Sequence, residues 1–271
     1  MDPWAQIGIR VLNHAPRTVR DWITQGITMG RCSKVFKEDR KHAYAMIRRF
    51  VELYGIDVEE AEKGLREYQT LDDFFQRKLK PGSRQISGSD VVSMADCRCS
   101  VFENVDDAKR YFVKGSEFTL EALFGTKDVS RAEYVVIFRL APQDYHRFHA
   151  PVAGEITRHQ EIKGGLSSIN PIVVRNRHVN VYTRNKREVL QLGGMLIAFI
   201  GATCTGAIHV KREGHVEKGE DIGSFGFGGS TIIMLMPRAY EPEFDLLRNS
   251  ASGYETIVRM GEPLARRRTP Q

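Results

Sequence analysis

The 271-residue sequence contains no run of about 18 apolar residues, so no membrane-spanning helix is expected. Cysteine is scarce. Cys32, Cys97, Cys99 and Cys204 form no CxxC pair and no ladder of spacings, which argues against a disulfide framework and suits a reducing compartment. The opening MDPWAQIGIRVL lacks the charged-then-apolar pattern and small-residue cleavage site of a secretory signal, so none is expected. No internal repeat or low-complexity linker interrupts the chain. What is present is apolar material, 41% of residues, enough for one large core or two modest ones.

Acidic residues are sparse at one end. Residues 1–50 hold ten Lys/Arg against four Asp/Glu, and the remaining residues balance, so the whole net charge of +6 sits in this segment. Such a segment favours an anionic partner, lipid headgroups or nucleic acid. No groove-reading motif accompanies the charge, so a membrane surface is the better match. Val19, Trp22, Ile23 and Ile27 recur at helical spacing, and a second helix is predicted from about Lys41 to Tyr54, with Ala43, Met46, Ile47, Phe50 and Leu53 on one face. A basic amphipathic helix carrying Trp can lie in a membrane interface, and either stripe can equally pack on the rest of the protein.

After Gly55 the texture changes. LDDFFQRKL (71–79) predicts a short helix stopped by Pro81-Gly82. From residue 90 onward come short β-prone runs: VVSM, YVVIFRL, IVV, HVNVYT, MLIAFIGA, AIHV and TIIMLM. Their spacing argues for an antiparallel core and against alternating βαβ units. The expected fold class is therefore α+β, a β-rich sandwich or barrel-like catalytic core with N-terminal amphipathic helices. The expected partition is a helical, basic, membrane-facing segment over 1–68 and a catalytic domain over 69–271. The tail from Arg266 to Gln271 reads as disordered.

Three places carry candidate chemistry. Gly228-Gly229-Ser230-Thr231 separates KGEDIGSFGF (218–227) from the apolar run IIMLM (232–236). Alone, such a GGS ordinarily reads as a flexible turn; the alternative is a place where a serine attacks its own backbone. The segment RLAPQDYHRFHAPVAGEI (139–156) places His146 and His149 three residues apart. These are a metal pair lacking its third ligand, two structural histidines, or a general base with a general acid. Asp96, in VVSMADCRCSVF (91–102), reads as a turn aspartate or as the third member of a Ser-His-Asp set. Spacing does not show that these residues meet.

Taken together, LDDFFQRKLKPGSRQI (71–86), MADCRCSVF (94–102), VKGSEFTLEALFG (113–125), LAPQDYHRFHAP (140–151), FIGATCTGAI (199–208), KGEDIGSFGFGGSTIIML (218–235) and GEPLA (261–265) resemble the phosphatidylserine decarboxylases. The resemblance runs from about residue 69 to 265 and is only loose before that. It implies self-cleavage between Gly229 and Ser230, giving a β chain of residues 1–229 and an α chain of residues 230–271 that stay together as a heterodimer. It also implies that Ser230 becomes a covalent pyruvoyl cofactor, which forms a Schiff base with the amine of phosphatidylserine. Asp96 and His149 are implied as the self-cleavage triad with Ser230, and His146 as the acid of decarboxylation. No metal is implied.

The sequence departs from the family pattern at Cys97, where Gly is common, at Lys186, where NER is usual, and at Thr205, where an apolar β-branched residue is usual. None of these is Asp96, His146, His149 or Ser230. The GGST form resembles the eukaryotic, endomembrane branch. The expected location is thus peripheral, on an endomembrane or its cytosolic face, with phosphatidylserine and an anionic membrane as partners, no nucleic acid, and a dimer of the processed unit as the family's common state. A pyruvoyl-dependent decarboxylase of a free amino acid and a non-catalytic phospholipid-binding relative stand as alternatives.

Overall fold

Three apolar runs of the sequence, 134–138, 195–200 and 231–236, lie side by side at the centre of one sheet. The computed structural model describes residues 40–103, 119–127, 129, 132–166, 181–202, 207–227 and 230–268. Its helices are α1 (Ala43–Tyr54), α2 (Leu71–Phe75), α3 (Leu120–Phe124), α4 (Val181–Arg184) and α5 (Phe244–Ala251). The first strands are β1 (Val91–Val92), β2 (Cys97–Phe102), β3 (Ala132–Leu140), β4 (Arg147–His149) and β5 (Gly154–Ile162). Then come β6 (Arg187–Leu192), β7 (Met195–Ile200), β8 (Ile208–Val210), β9 (Gly214–Val216) and β10 (Asp221–Phe225). The last are β11 (Ser230–Pro237), β12 (Tyr240–Pro242), β13 (Thr256–Val258) and β14 (Pro263–Arg267).

The strands form an eight-stranded sheet of order β13-β2-β3-β11-β7-β6-β5-β9 and two three-stranded sheets, β4-β10-β8 and β1-β14-β12. Their ladders are antiparallel. The class is therefore the expected α+β with an antiparallel core. The large sheet stays open between β13 and β9, so it is not a closed barrel.

The central strands are apolar without interruption because both of their faces are covered. Tyr134, Val136 and Phe138 of β3, Ile197 and Phe199 of β7, and Ile232 and Met234 of β11 enter one core. Phe148, Ile208, Ile222 and Phe225 of the sheet β4-β10-β8 close that core from the other side. The alternate residues Val135, Ile137, Ala198, Ile200, Ile233 and Leu235 face a second core, roofed by Leu123 and Phe124 of α3 and by Val181 and Tyr182 of α4. The β6–β7 turn is made by Gly193 and Gly194, both at positive φ (58° and 80°), which a two-residue hairpin of this twist requires.

Several sequence expectations shift. Helix α1 buries Ala43, Ile47 and Phe50 as its periodicity predicts, but Leu53 at its last turn is 71% exposed. Ten positions after Ala43, Leu53 falls about 80° round the helix from it and so off the buried stripe, and the helix ends at Gly55 with a left-handed φ of 62°. Helix α2 starts on the cap Thr70, whose Oγ1 accepts from the Asp73 amide at 3.1 Å, but stops at Phe75. Beyond Arg77 the backbone is drawn instead into pairing with residues 60–62, through Glu62 N–H to Lys78 O and Lys80 N–H to Glu60 O. HVNVYT does not form the expected strand over its described residues, 181–183. Its described part forms α4, because Asn185 N–H bonds back to Val181 O and the buried Arg187 guanidinium holds Thr183 O. Local β propensity is weak against such tertiary anchoring. The tail is ordered as far as Arg268: Arg266 and Arg267 belong to β14, and Arg268 bonds Tyr134 Oη. The stretch 17–27, the run IVV, Cys32, Cys204 and Thr205 lie outside the described residues.

Two of the family departures have clear settings. Cys97 opens β2 and packs, with Cys99, in the main core, where burial pushes both thiols well above their ordinary range. Lys186 pairs with Glu161 at 3.2 Å.

Phe199 is fully buried, stacked on Phe148 at 4.2 Å and set against Phe225. Phe199→Ala is expected to destabilise the fold by about 3–5 kcal/mol, read as a lowered urea midpoint. An unchanged midpoint would refute the packing described.

Candidate active site

Ser230 is the first residue of β11 and is paired in register with Leu140 at the end of β3. Alternation places it on the same face as Ile232 and Met234, toward the small sheet β4-β10-β8. The serine is fully buried, and its Oγ has no hydrogen-bond partner among the described residues. A buried hydroxyl left in that state is destabilising, which is why such groups merit a functional reading. Gly228 and Gly229 lie outside the described residues.

His146 precedes β4 and is also fully buried. Its backbone carbonyl accepts from Phe225 N–H at 2.9 Å, which ties it to the segment leading to Ser230. Nδ1 lies 2.8 Å from Asp144 O, so the proton is on Nδ1 and Nε2 carries a bare lone pair. That Nε2 is buried and has no partner. The ring packs on Phe75 at 3.8 Å, and Phe75 in turn touches Phe227. Burial drives the imidazole pKa down to about 3, against an opposing pull from the Asp144 carbonyl. His146 is therefore neutral, with an unshared lone pair on Nε2.

His149 lies in β4 opposite Asp221. Its Nδ1–H donates to Gly219 O at 2.8 Å, and its Nε2 lies 3.1 Å from the Tyr145 hydroxyl. Burial lowers its pKa, while the Gly219 carbonyl and the charges of Asp221 and Asp96 act in the opposite sense. Its backbone N–H bonds to Met94 O at 2.8 Å, which brings β4 alongside the Asp96 turn.

Asp96 itself faces elsewhere. Its carboxylate takes Arg84 Nε and Nη2 at 3.0 and 2.5 Å and the Met260 amide at 2.8 Å, while Arg84 also binds Glu60. The direct carboxylate–imidazole and imidazole–serine bonds of a triad are therefore absent from this arrangement. A guanidinium offering charge-assisted bonds to both oxygens outcompetes a neutral imidazole for the carboxylate. Asp96 and His149 thus lie near one another without being hydrogen-bonded, and Ser230 bonds to neither.

Among the described residues no three His, Cys, Asp or Glu side chains gather to hold a metal ion. The buried, unpartnered Ser230 hydroxyl at a strand head behind two glycines fits conversion of that residue into a covalent ketone.

Comparison with known proteins settles the family. The sequence profile of the family described as phosphatidylserine decarboxylase matches residues 71–266. The chain belongs to the phosphatidylserine decarboxylase family. It is 42% identical over 233 residues to phosphatidylserine decarboxylase proenzyme 2 of Oryza sativa subsp. japonica, covering 79% of this chain and 37% of that protein. It is 38% identical over 243 residues to the proenzyme 2 of Komagataella phaffii, covering 83% of this chain and 24% of that protein. A phosphatidylserine decarboxylase proenzyme of Chlamydia trachomatis is 38% identical over 235 residues, covering 82% of this chain and 77% of that protein. The chain thus spans well under half of the length of the yeast and rice relatives.

Several residues that tie the segments around Ser230, His146 and His149 together escape a reading of motifs alone. Asp72 accepts from the Phe227 amide at 2.5 Å and from Gln76 Nε2 at 2.9 Å, so α2 holds the chain two residues before Gly229. Gln76 Oε1 receives the Ser224 hydroxyl at 2.8 Å. The available signal was charge inside LDDFFQRKL at helical spacing, which reads simply as a solvated face. The Gly219 carbonyl carried no signal, because it meets His149 from 70 residues along the chain. Arg84 meets Asp96 twelve residues on and Tyr145 meets His149 four residues on, but no residue spacing marks either contact.

The buried histidine makes the fold acid-sensitive. Below pH of about 6.5 the unfolded chain binds a proton at position 146 that the folded chain refuses until about pH 3, so this group's contribution to stability falls as pH falls through that window. His146→Gln is expected to lose about 2 kcal/mol less than the parent between pH of about 6.5 and 5, by urea unfolding. Equal losses in both proteins would contradict a neutral, buried His146.

Proposed function

We propose that this chain decarboxylates phosphatidylserine to phosphatidylethanolamine and carbon dioxide, using a pyruvoyl group made from its own Ser230. The observation that carries the reading is the buried Ser230 hydroxyl, unpartnered at the head of β11, in a family whose relatives are named proenzymes.

In the proposed processing, Ser230 Oγ attacks the Gly229 carbonyl carbon and displaces the Ser230 nitrogen, so the amide becomes an ester. Loss of a proton from Cα of residue 230 then expels Gly229 as a carboxylate. Water adds and ammonia leaves, and residue 230 ends as a ketone. The ketone supplies an electron sink for the pair left behind when a carboxylate departs as carbon dioxide.

The side chains divide the proton work. His149 is proposed to take the Ser230 proton. Its Nδ1–H is fixed by Gly219 O, so Nε2 is its basic atom, and Tyr145 must yield that position to Ser230. Asp96 supports the imidazolium that forms by its nearby charge. His146 is proposed to receive a proton at Nε2 and deliver it to the carbon that lost carbon dioxide. Its burial makes that proton easy to give away.

The described helices include none long and apolar enough to cross a membrane. The basic residues of 1–50 support a peripheral hold on anionic lipid, with 1–68 facing the membrane and 69–271 carrying the chemistry. In this reading the two chains cut at Gly229–Ser230 remain together, and an endomembrane surface and a dimer of the processed unit are part of the same proposal.

Intact-mass measurement should find a fragment of residues 230–271 with a blocked amino terminus of pyruvoyl mass. Ser230→Ala and His149→Ala should stay uncut, and His146→Ala should be cut yet turn over poorly. Liposomes of phosphatidylserine should release carbon dioxide where free serine and free tryptophan do not. A full-length, uncut chain that still decarboxylates would sink the mechanism, and turnover of a free amino acid alone would sink the substrate.

A further inference from the structure

Beyond α2 the chain folds around a cavity of about 390 Å³ lined by four cations, Lys63, Arg77, Lys78 and Arg147, and two carboxylates, Glu62 and Asp73. We propose that this cavity seats the phosphodiester of the substrate headgroup, with Arg77 as its floor. The proposal rests on the phosphatidylserine reading above.

Arg77 is the reason. The residue is only 5% exposed, and its Nη2 donates to Gln143 O at 3.2 Å. Its Nε and Nη1 are buried and have no hydrogen-bond partner among the described residues. Nor does any described carboxylate stand within ion-pair distance of it. Arg84, Arg139 and Arg147, by contrast, are each paired, with Asp96 and Glu60, with Glu255, and with Asp221. A buried guanidinium with unmet donors is strongly unfavourable unless an anion completes it.

The neighbouring acids do not fill that role. Asp73 Oδ2 is occupied by the Gln69 amide at 2.9 Å, and Glu62 is exposed at the rim. Arg147 is held by Asp221. Lys63 and Lys78 are exposed and remain available to a ligand. The cavity is therefore lined by one buried cation and two exposed ammonium groups, a set of charges that suits a tetrahedral oxyanion.

Its position matches the chemistry of the headgroup. Arg77 Nη2 and His146 Nδ1 converge on the same Asp144 carbonyl, at 3.5 and 2.8 Å. In phosphatidylserine the phosphorus is separated from the reacting carbon by one oxygen and one methylene. A phosphate seat must therefore lie next to the group that handles the proton, and this one shares a carbonyl with it. The same seat would separate a lipid headgroup from free serine, which carries no phosphate to fill it.

Calorimetric titration of the full chain tests the site without turnover if the probe has no amine. Glycerophosphoglycerol is such a phosphodiester. It should bind the parent and bind about tenfold more weakly to Lys63→Ala/Lys78→Ala and to Arg77→Lys. Because both lysines are exposed, the double variant decides the matter should the Arg77 variant not fold. Kinetics on phosphatidylserine in neutral detergent micelles should show KM raised about tenfold with kcat held within about twofold. Unchanged glycerophosphoglycerol binding in the double variant would overturn the site. Binding of inorganic phosphate without glycerophosphoglycerol would overturn the headgroup assignment in favour of free phosphate. A parent that decarboxylates phosphatidylserine while the double variant shows an unaltered KM would refute the seat and leave the activity standing. A parent that binds the phosphodiester but does not decarboxylate the lipid would remove the activity and, with it, the headgroup as occupant.

Discussion

Strand β11 bonds to β3 along one edge and to β7 along the other from Thr231 to Leu235, and buries side chains on both faces. Such a strand has no free backbone groups and no exposed face, so its position is fixed by everything around it. Ser230 inherits that fixity. Its backbone is in register with Leu140, and its side chain is buried beneath the small sheet without a hydrogen-bond partner among the described residues. In the proposed processing, the break falls just before the ladder begins. The sheet bonds that hold residues 231–237 are then all still in place afterwards, and the two chains need no new contact to stay together.

The elements around that strand head are tied by polar contacts across long sequence distances. Asp72 of α2 holds Phe227, Phe225 holds the His146 carbonyl, and His149 holds Met94 beside Asp96. Because these bonds are shielded from solvent, each fixes geometry more firmly than its surface counterpart would. The same shielding keeps both histidines neutral and lowers their basicity by desolvation. Acid–base work in such a place depends on which partner occupies each ring nitrogen. Here His149 is held at both nitrogens and His146 at one, so the two rings differ in readiness although they stand three residues apart. Arg84, clamped between Asp96 and Glu60, sets the direction of the one carboxylate that a triad would need.

The sequence by itself determined the antiparallel α+β class, since short apolar runs separated by turn residues leave no room for crossover helices. It determined the buried character of β3, β7 and β11, because uninterrupted apolar residues can be satisfied only when both faces of a strand are covered. Motif order also brought Asp96, His146, His149 and Ser230 forward as one set. Only the tertiary structure decided how they are wired. Which atom Asp96 bonds depends on Arg84, twelve residues away along a turn, and which nitrogen of His149 carries the proton depends on the Gly219 carbonyl. The described part of HVNVYT became helix α4 for the same reason: local preference is worth tenths of a kcal/mol, roughly, and a buried guanidinium outweighs it. Arg77 is the sharpest instance. In the sequence it is one basic residue among several, and only its burial without a partner gives it a meaning.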